Sequence, residues 1–196
     1  MKTGLVMEGG AMRGMFTAGV IDIMMEHKME FDGAIGVSAG AVFGCNYKSK
    51  QPGRVIRYNA AYCNNPHYAG VASLLRTGDI FGEQFCYHDI PDRLDPFDFD
   101  TYFSSPMNCE LVTTNCLTGK AEYMSEEEDR DRLMKICRAS SSMPLLTPIV
   151  NIEDVPYLDG GLADSVPIRR AKEIGNEKIV VVLTKNAGYR KKVLSP

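Results

Sequence analysis

The chain has 196 residues, of which 44% are hydrophobic and 24% are charged, an ordinary balance for a globular domain that buries a core. Its formal net charge of −3 provides no basic field, so we expect no nucleic-acid partner. The six cysteines include no C-x-x-C pair, which predicts neither a disulfide framework nor a zinc site.

Composition also shapes our expectations for location and domain number. Glu8 and a glycine cluster interrupt the first apolar run before the core of a signal peptide could form. No stretch approaches the roughly 18 uninterrupted apolar residues of a membrane span. We therefore expect a cytoplasmic protein with reduced thiols, folded as one domain over residues 1–196 that could lack C-terminal elements.

Two β-loop-α units open the chain. The first predicts a strand at Gly4–Met7, a glycine-rich turn, and a helix whose apolar residues recur at helical spacing up to Met25. The second predicts a strand at Phe31–Val37, a turn at Ser38, and a helix at Ala39–Tyr47. Successive units of this kind indicate an α/β fold with a parallel sheet covered by helices.

The remainder of the chain is less regular. Residues 51–106 mix proline, aspartate and aromatic residues, and only a helix near Arg54–Cys63 is predicted there. Ser125 and Glu128 form a Ser-x-x-Glu capping box, which predicts a helix through about Arg138. The other predicted elements are strands at Asn108–Asn115, Ala121–Met124, Val155–Leu158 and Lys178–Thr184, and a helix at Ile168–Ile174.

The segment Gly36-Val37-Ser38-Ala39-Gly40 matches G-x-S-x-G. In this motif, flanking glycines allow a strand to turn sharply into a helix and expose a strained serine at the helix N-terminus. The pentapeptide alone is as consistent with a chance match in a glycine-rich turn. A strand before it and a helix after it favour a nucleophilic Ser38.

The glycine-rich turn from Gly9 to Gly14 offers consecutive backbone N–H groups beside the cation Arg13, as an oxyanion-binding loop requires. A dinucleotide-binding turn is the rival interpretation, but Ala11 stands where G-x-G-x-x-G needs its second glycine. Asp32, the acidic candidate for a ribose, precedes the second strand instead of ending it. A plain helix-entry turn with a solvated arginine is the third interpretation.

A serine nucleophile needs a base, and none of the three histidines is placed to supply it. In a Ser-His-Asp hydrolase on this kind of scaffold the histidine comes last in chain order, whereas His27 ends the first helix and His67 and His88 are expected in surface loops. Asp159, in an Asp-Gly-Gly turn after an apolar strand, could serve as the base if it bonds directly to the serine. Without the serine motif, an ordinary turn would explain Asp159 equally well.

Together, the early glycine-rich loop, G-x-S-x-G and the distant Asp-Gly-Gly resemble the patatin-like phospholipase family in order and spacing. The resemblance runs from Gly9 to Gly161 and includes a small-residue and proline loop at 140–144. It departs from the family's common triple glycine at Ala11, where a Cβ restricts access to positive φ. It implies a three-layer α/β/α sandwich with a mostly parallel central sheet.

The resemblance also implies the site. It assigns the nucleophile to Ser38, its dyad partner to Asp159, the oxyanion loop to Gly9, Gly10, Ala11 and Arg13, and the elbow to Gly36 and Gly40. The activity it implies is hydrolysis of fatty-acyl esters or phospholipids through an acyl-serine, with no metal and no cofactor. Because no segment is long and apolar enough to span a membrane, we expect that the protein could contact a membrane surface but does not cross it. Transacylation on the same serine and a non-catalytic lipid- or nucleotide-binding module are the alternatives.

Overall fold

Alternating strands and helices build the fold, which a computed structural model describes for residues 1–190. Within these residues the strands are β1 (Thr3–Met7), β2 (Gly33–Val37), β3 (Asn108–Asn115), β4 (Ala121–Met124), β5 (Val150–Ile152), β6 (Val155–Asp159) and β7 (Lys178–Val182). The α-helices are α1 (Met15–Glu26), α2 (Ala39–Lys48), α3 (Arg54–Tyr62), α4 (Val71–Thr77), α5 (Phe99–Ser104), α6 (Arg130–Ser140) and α7 (Ile168–Glu173). Short 3-10 turns at Ala11–Gly14 and Gly160–Leu162 and a π-helix at Phe85–Leu94 complete the set.

One mixed sheet of seven strands forms the central layer, in which pairing runs from β5 to β6, β3, β2, β1 and β7, and β4 also pairs with β3. Strands β7, β1, β2 and β3 are parallel to one another, and β4, β5 and β6 join by antiparallel pairing. Alternate residues of β1 face opposite sides: Leu5 packs with α1, α2 and α6, and Val6 packs with Ala171 of α7. Helices therefore cover both faces, which confirms the expected three-layer α/β/α arrangement.

Strands β2 and β6 meet end to end along one edge of β3. Residues 108–112 of β3 pair with β2, and residues 113–115 pair with β6. Strand β4 overlaps both pairings and must occupy the opposite edge, because a strand edge accepts one neighbour at each position. The last residues of β2 and β6, Val37 and Asp159, thus oppose consecutive residues of β3. This register brings Ser38, which follows Val37, beside Asp159.

Several predictions of local structure are confirmed, and two are corrected. The strands at Asn108–Asn115 and Ala121–Met124 have the predicted bounds. The predicted capping box is wrong, because α6 begins at Arg130 with Asp129 as its N-cap. His88 is likewise not in a surface loop but lies half-buried within the π-helix.

Acidic side chains explain the later start of α6. The Asp129 carboxylate accepts hydrogen bonds from the backbone N–H groups of Asp131 and Arg132. Glu126 accepts three more, from the N–H groups of residues 127, 128 and 129, which holds them in a turn.

In the part of the chain that the structure describes, no helix has the length and apolarity that crossing a bilayer requires.

Candidate active site

Ser38 stands in a strained turn between β2 and α2. Its backbone has φ 55° and ψ −123°, a conformation that costs a residue with a Cβ on the order of 1–3 kcal/mol. The residue is 9% exposed and sits at the N-terminus of α2, where the helix dipole favours negative charge. The strain is therefore carried by the serine itself and not by the neighbouring glycines.

Three glycines let neighbouring backbone approach this turn. A Cβ on Gly40 would lie 2.5 Å from the Met7 carbonyl oxygen, and one on Gly36 would lie 2.5 Å from Ala41 Cα. A Cβ on Gly9 would lie 2.8 Å from the Ser38 Cβ. All three distances are shorter than real contacts, so a side chain at any of these positions would push the glycine-rich loop, the elbow and β1 apart.

Asp159 is buried beside Ser38 and held through its backbone. Its N–H donates to the Ser142 carbonyl at 2.7 Å, and its carbonyl accepts the Thr114 hydroxyl at 2.8 Å. The carboxylate Oδ1 accepts the Gly161 N–H at 2.7 Å. Backbone bonds at both ends of the residue therefore fix the direction of the carboxylate.

Burial raises the pKa of the Asp159 carboxyl, and the Ser38 side chain and the Gly161 N–H oppose that rise. A carboxylate made more basic in this way is better suited to accept a proton. The Ser38 side chain is close enough to affect the pKa of Asp159, but the hydroxyl and the carboxylate form no hydrogen bond of standard geometry. Catalytic hydrogen bonds are often long or poorly aligned before substrate binds. None of the three histidines, all within the described residues, lines the cavity at Ser38.

The loop from Gly9 to Arg13 faces the elbow with unused donors. Within the described chain, the backbone N–H groups of Gly9, Gly10 and Ala11 donate to no protein acceptor. Ala11 adopts φ 48° despite its Cβ, so this departure from triple glycine leaves the turn left-handed. The guanidinium of Arg13 is exposed and lies over Gly10. The loop thus presents free N–H groups and a cation next to Ser38.

Thr184, just after β7, anchors this loop. Its hydroxyl donates to the Gly9 carbonyl at 2.6 Å, and its N–H donates to the Glu8 carboxylate at 2.6 Å. These bonds hold the peptides that carry the free donors. Sequence reasoning did not single out Thr184, because only the parallel pairing of β7 with β1 brings it to Glu8.

Ser140 was noted from the sequence only as part of the loop at 140–144, with no role of its own. It is fully buried at the end of α6, where its hydroxyl accepts the Ser38 N–H at 3.0 Å and donates to the Val112 carbonyl at 2.7 Å. Ser142, two residues on, holds Asp159 by its carbonyl. The loop at 140–144 that resembled the family's small-residue loop therefore contacts both Ser38 and Asp159.

A cavity of about 380 Å³ opens at Ser38 and runs along α2. Its lining is mostly apolar or aromatic, as with Val42, Phe43, Tyr58, Ile90 and Phe97. Asn46, which also lines the cavity, lies eight residues beyond Ser38, or about 12 Å along the helix. The described residues contain no group of three or more His, Cys, Asp or Glu placed to hold a metal ion. The arrangement combines a strained serine, a buried carboxylate, free N–H donors and an apolar cavity.

Two comparisons with known proteins give the family of this chain. Residues 5–172 match the model of the patatin-like phospholipase family. The chain is also 29% identical over 200 aligned residues to the uncharacterized protein YjjU of Escherichia coli K12, an alignment that covers 93% of this chain and 52% of that protein. The chain thus spans about half the length of this curated relative. Because the family model covers most of the chain, the protein belongs to the patatin-like phospholipase family.

Proposed function

We propose that this chain is a serine-dependent lipid acyl hydrolase, a phospholipase, lysophospholipase or esterase, in which Ser38 and Asp159 act as a dyad. The observation that carries the proposal is the meeting of β2 and β6 on one edge of β3, which places a strained serine beside a buried carboxylate. The apolar cavity at Ser38 supports an acyl chain as the bound part of the substrate.

The first half-reaction forms an acyl-serine. Asp159 accepts the hydroxyl proton of Ser38 as Oγ attacks the ester carbonyl carbon, and the free N–H groups of Gly9, Gly10 and Ala11 donate to the developing oxyanion. The tetrahedral intermediate then collapses, and the alcohol leaves with the proton that Asp159 returns to it. The positive end of α2 and the charge of Arg13 add to stabilisation of the oxyanion.

The second half-reaction releases the fatty acid. Asp159 removes a proton from water, the hydroxide oxygen attacks the acyl carbon, and the acyl–Oγ bond breaks. The proton returns from Asp159 to Ser38. No metal, cofactor or nucleic acid enters this scheme, and the substrate is a fatty-acyl ester or phospholipid met at a membrane surface.

An active-site fluorophosphonate tests the proposal, together with a panel of acyl esters and phospholipids. We expect wild-type protein to be labelled at Ser38 and to hydrolyse esters, and Ser38→Ala and Asp159→Asn to lose both while keeping the fold. Ser104→Ala, an exposed serine on α5, and Asp164→Asn, whose carboxylate accepts the Tyr123 hydroxyl, serve as matched controls. Wild-type turnover in folded Ser38→Ala would refute the assignment.

The alternatives give different results in the same assay. Labelling at Ser38 with acyl transfer to an added alcohol or thiol, and no release of free fatty acid, would favour a transacylase. A folded wild-type protein that the probe does not label would favour a non-catalytic lipid- or nucleotide-binding module. Loss of activity on replacing His27, His67 or His88, with the fold unchanged, would replace the dyad with a triad.

A further inference from the structure

Two segments beside the cavity are almost without charge. They are α4 (Val71–Thr77) and the loop 143–149, and among their fourteen residues Arg76 is the one charged side chain. Charged residues make up 24% of the whole chain, so about three would be expected among fourteen residues. The low charge is therefore a local feature of these segments.

Both segments expose large apolar side chains, which we call the apolar rim: Val71, Leu75, Leu145 and Ile149. Their exposed fractions are 67%, 84%, 97% and 53%. Leu145 also has φ 67°, a left-handed conformation that a residue with a Cβ disfavours. The loop thus holds a leucine almost fully in solvent in an unfavourable backbone conformation.

The apolar rim is continuous with the mouth of the cavity. Gly70, directly before α4, and Met143, which begins the loop, both line the cavity. The N–H of Ile80, another lining residue, donates to the Leu146 carbonyl at 2.8 Å and ties the segment after α4 to the loop. The rim therefore borders the route by which an acyl chain reaches Ser38.

We infer that the apolar rim is a docking surface for an anionic lipid bilayer, from which an acyl chain enters the cavity at Ser38. This inference rests on the proposed function for the identity of the chain that enters, and it adds the surface that contacts the membrane. Apolar side chains enter the interface of a bilayer, and the exposed Arg76 on α4 complements its negative charge. Neither segment carries an acidic side chain to oppose this contact.

Vesicle sedimentation with the Ser38→Ala protein tests the surface without depending on catalysis. We expect this protein to bind phosphatidylglycerol vesicles, and the added pair Leu75→Ser and Leu145→Ser to weaken binding roughly tenfold or more, because two exposed leucines lose their burial in lipid. Ile23→Ser is the matched control. It is 54% exposed near the C-terminus of α1 and lies outside both segments of the apolar rim, so its substitution should leave binding unchanged.

Leu75→Ser and Leu145→Ser, introduced into the protein that keeps Ser38, separate the docking surface from the proposed function. Turnover of phospholipid in vesicles should fall about as much as binding, and turnover of a soluble short-chain ester should stay within twofold of wild type. Vesicle binding without ester turnover would support the docking surface and refute the proposed function. Vesicle binding that is equal with and without the Leu75→Ser and Leu145→Ser substitutions would refute the docking surface. Conversion of a dimer to a monomer by these substitutions would also refute it, because the apolar rim would then contact a second copy of the chain.

Discussion

Replacing Ser140 with alanine should destabilise the protein and slow its catalysis together. The hydroxyl of this fully buried residue accepts the Ser38 N–H at 3.0 Å and donates to the Val112 carbonyl at 2.7 Å. Alanine leaves both backbone groups buried with no partner at this position, and each such group costs about 1–3 kcal/mol. We expect Ser140→Ala to lower the free energy of unfolding by about 2–6 kcal/mol, or Tm by roughly 4–24 °C for a domain of this size.

Thermal and urea unfolding followed by circular dichroism measure this loss. Ser141→Ala is the control for stability, because the Ser141 hydroxyl donates to a carbonyl of its own helix turn, Cys137, and its removal should cost less than about 1 kcal/mol. In the folded Ser140→Ala protein, kcat for a soluble ester should fall more than KM changes, because the turn that aims Ser38 is released. A Tm within 1 °C of wild type would refute the reasoning, as would an unchanged kcat.

Three further changes test other parts of the site. Ala11→Gly should raise the free energy of unfolding by up to about 1 kcal/mol in urea titration, because glycine adopts the φ of 48° without strain, and a clear loss of stability would contradict this. Arg13→Ala should lower kcat more than it raises KM in steady-state ester assays, whereas equal kinetics would leave Arg13 as a solvated side chain. Because burial raises the pKa of Asp159, activity should be lost on acidification at a pH above the ordinary carboxyl value of 3.8, as a pH–rate profile would show. Because the pKa of Asp159 is higher in the folded state than in the unfolded state, the folded state binds more protons, and its stability falls as pH rises through the folded pKa. Asp159→Asn removes this effect. The variant should therefore have a higher Tm than wild type at pH 7, but not below the pKa that Asp159 has in the unfolded chain.

The sequence was sufficient for elements whose pattern is local. Both β-loop-α units lie where apolar spacing and glycine turns predict them, so the position of the elbow at Ser38 follows from the sequence alone. The predicted helix start at Ser125 was wrong because Glu126 accepts the N–H groups of residues 127–129, including the one that a Ser125 cap would need. Asp129 then caps the helix by accepting the N–H groups of Asp131 and Arg132. Local patterns identify candidate caps but do not rank them.

Residues that act through long-range contacts could not be found in this way. Ser140 lies 102 positions from Ser38, and the family resemblance of the loop at 140–144 does not indicate that the Ser140 hydroxyl binds the Ser38 N–H. The π-helix at Phe85–Leu94 was not predicted, because Pro91 lies inside it and proline, aspartate and aromatic residues are mixed through this part of the chain. The single-domain interpretation and the cytoplasmic location rest on sequence alone and stay predictions.

The end-to-end meeting of β2 and β6 on β3 has a consequence for folding kinetics. Ser38 and Asp159 are separated by 121 positions, and their proximity depends on β6 docking in register beside the end of β2. Contacts between such distant segments form slowly, because a long loop must close before pairing stabilises it. During refolding, helices should therefore return before ester hydrolysis does. The interval between recovered circular dichroism and recovered turnover measures how late this strand joins the sheet.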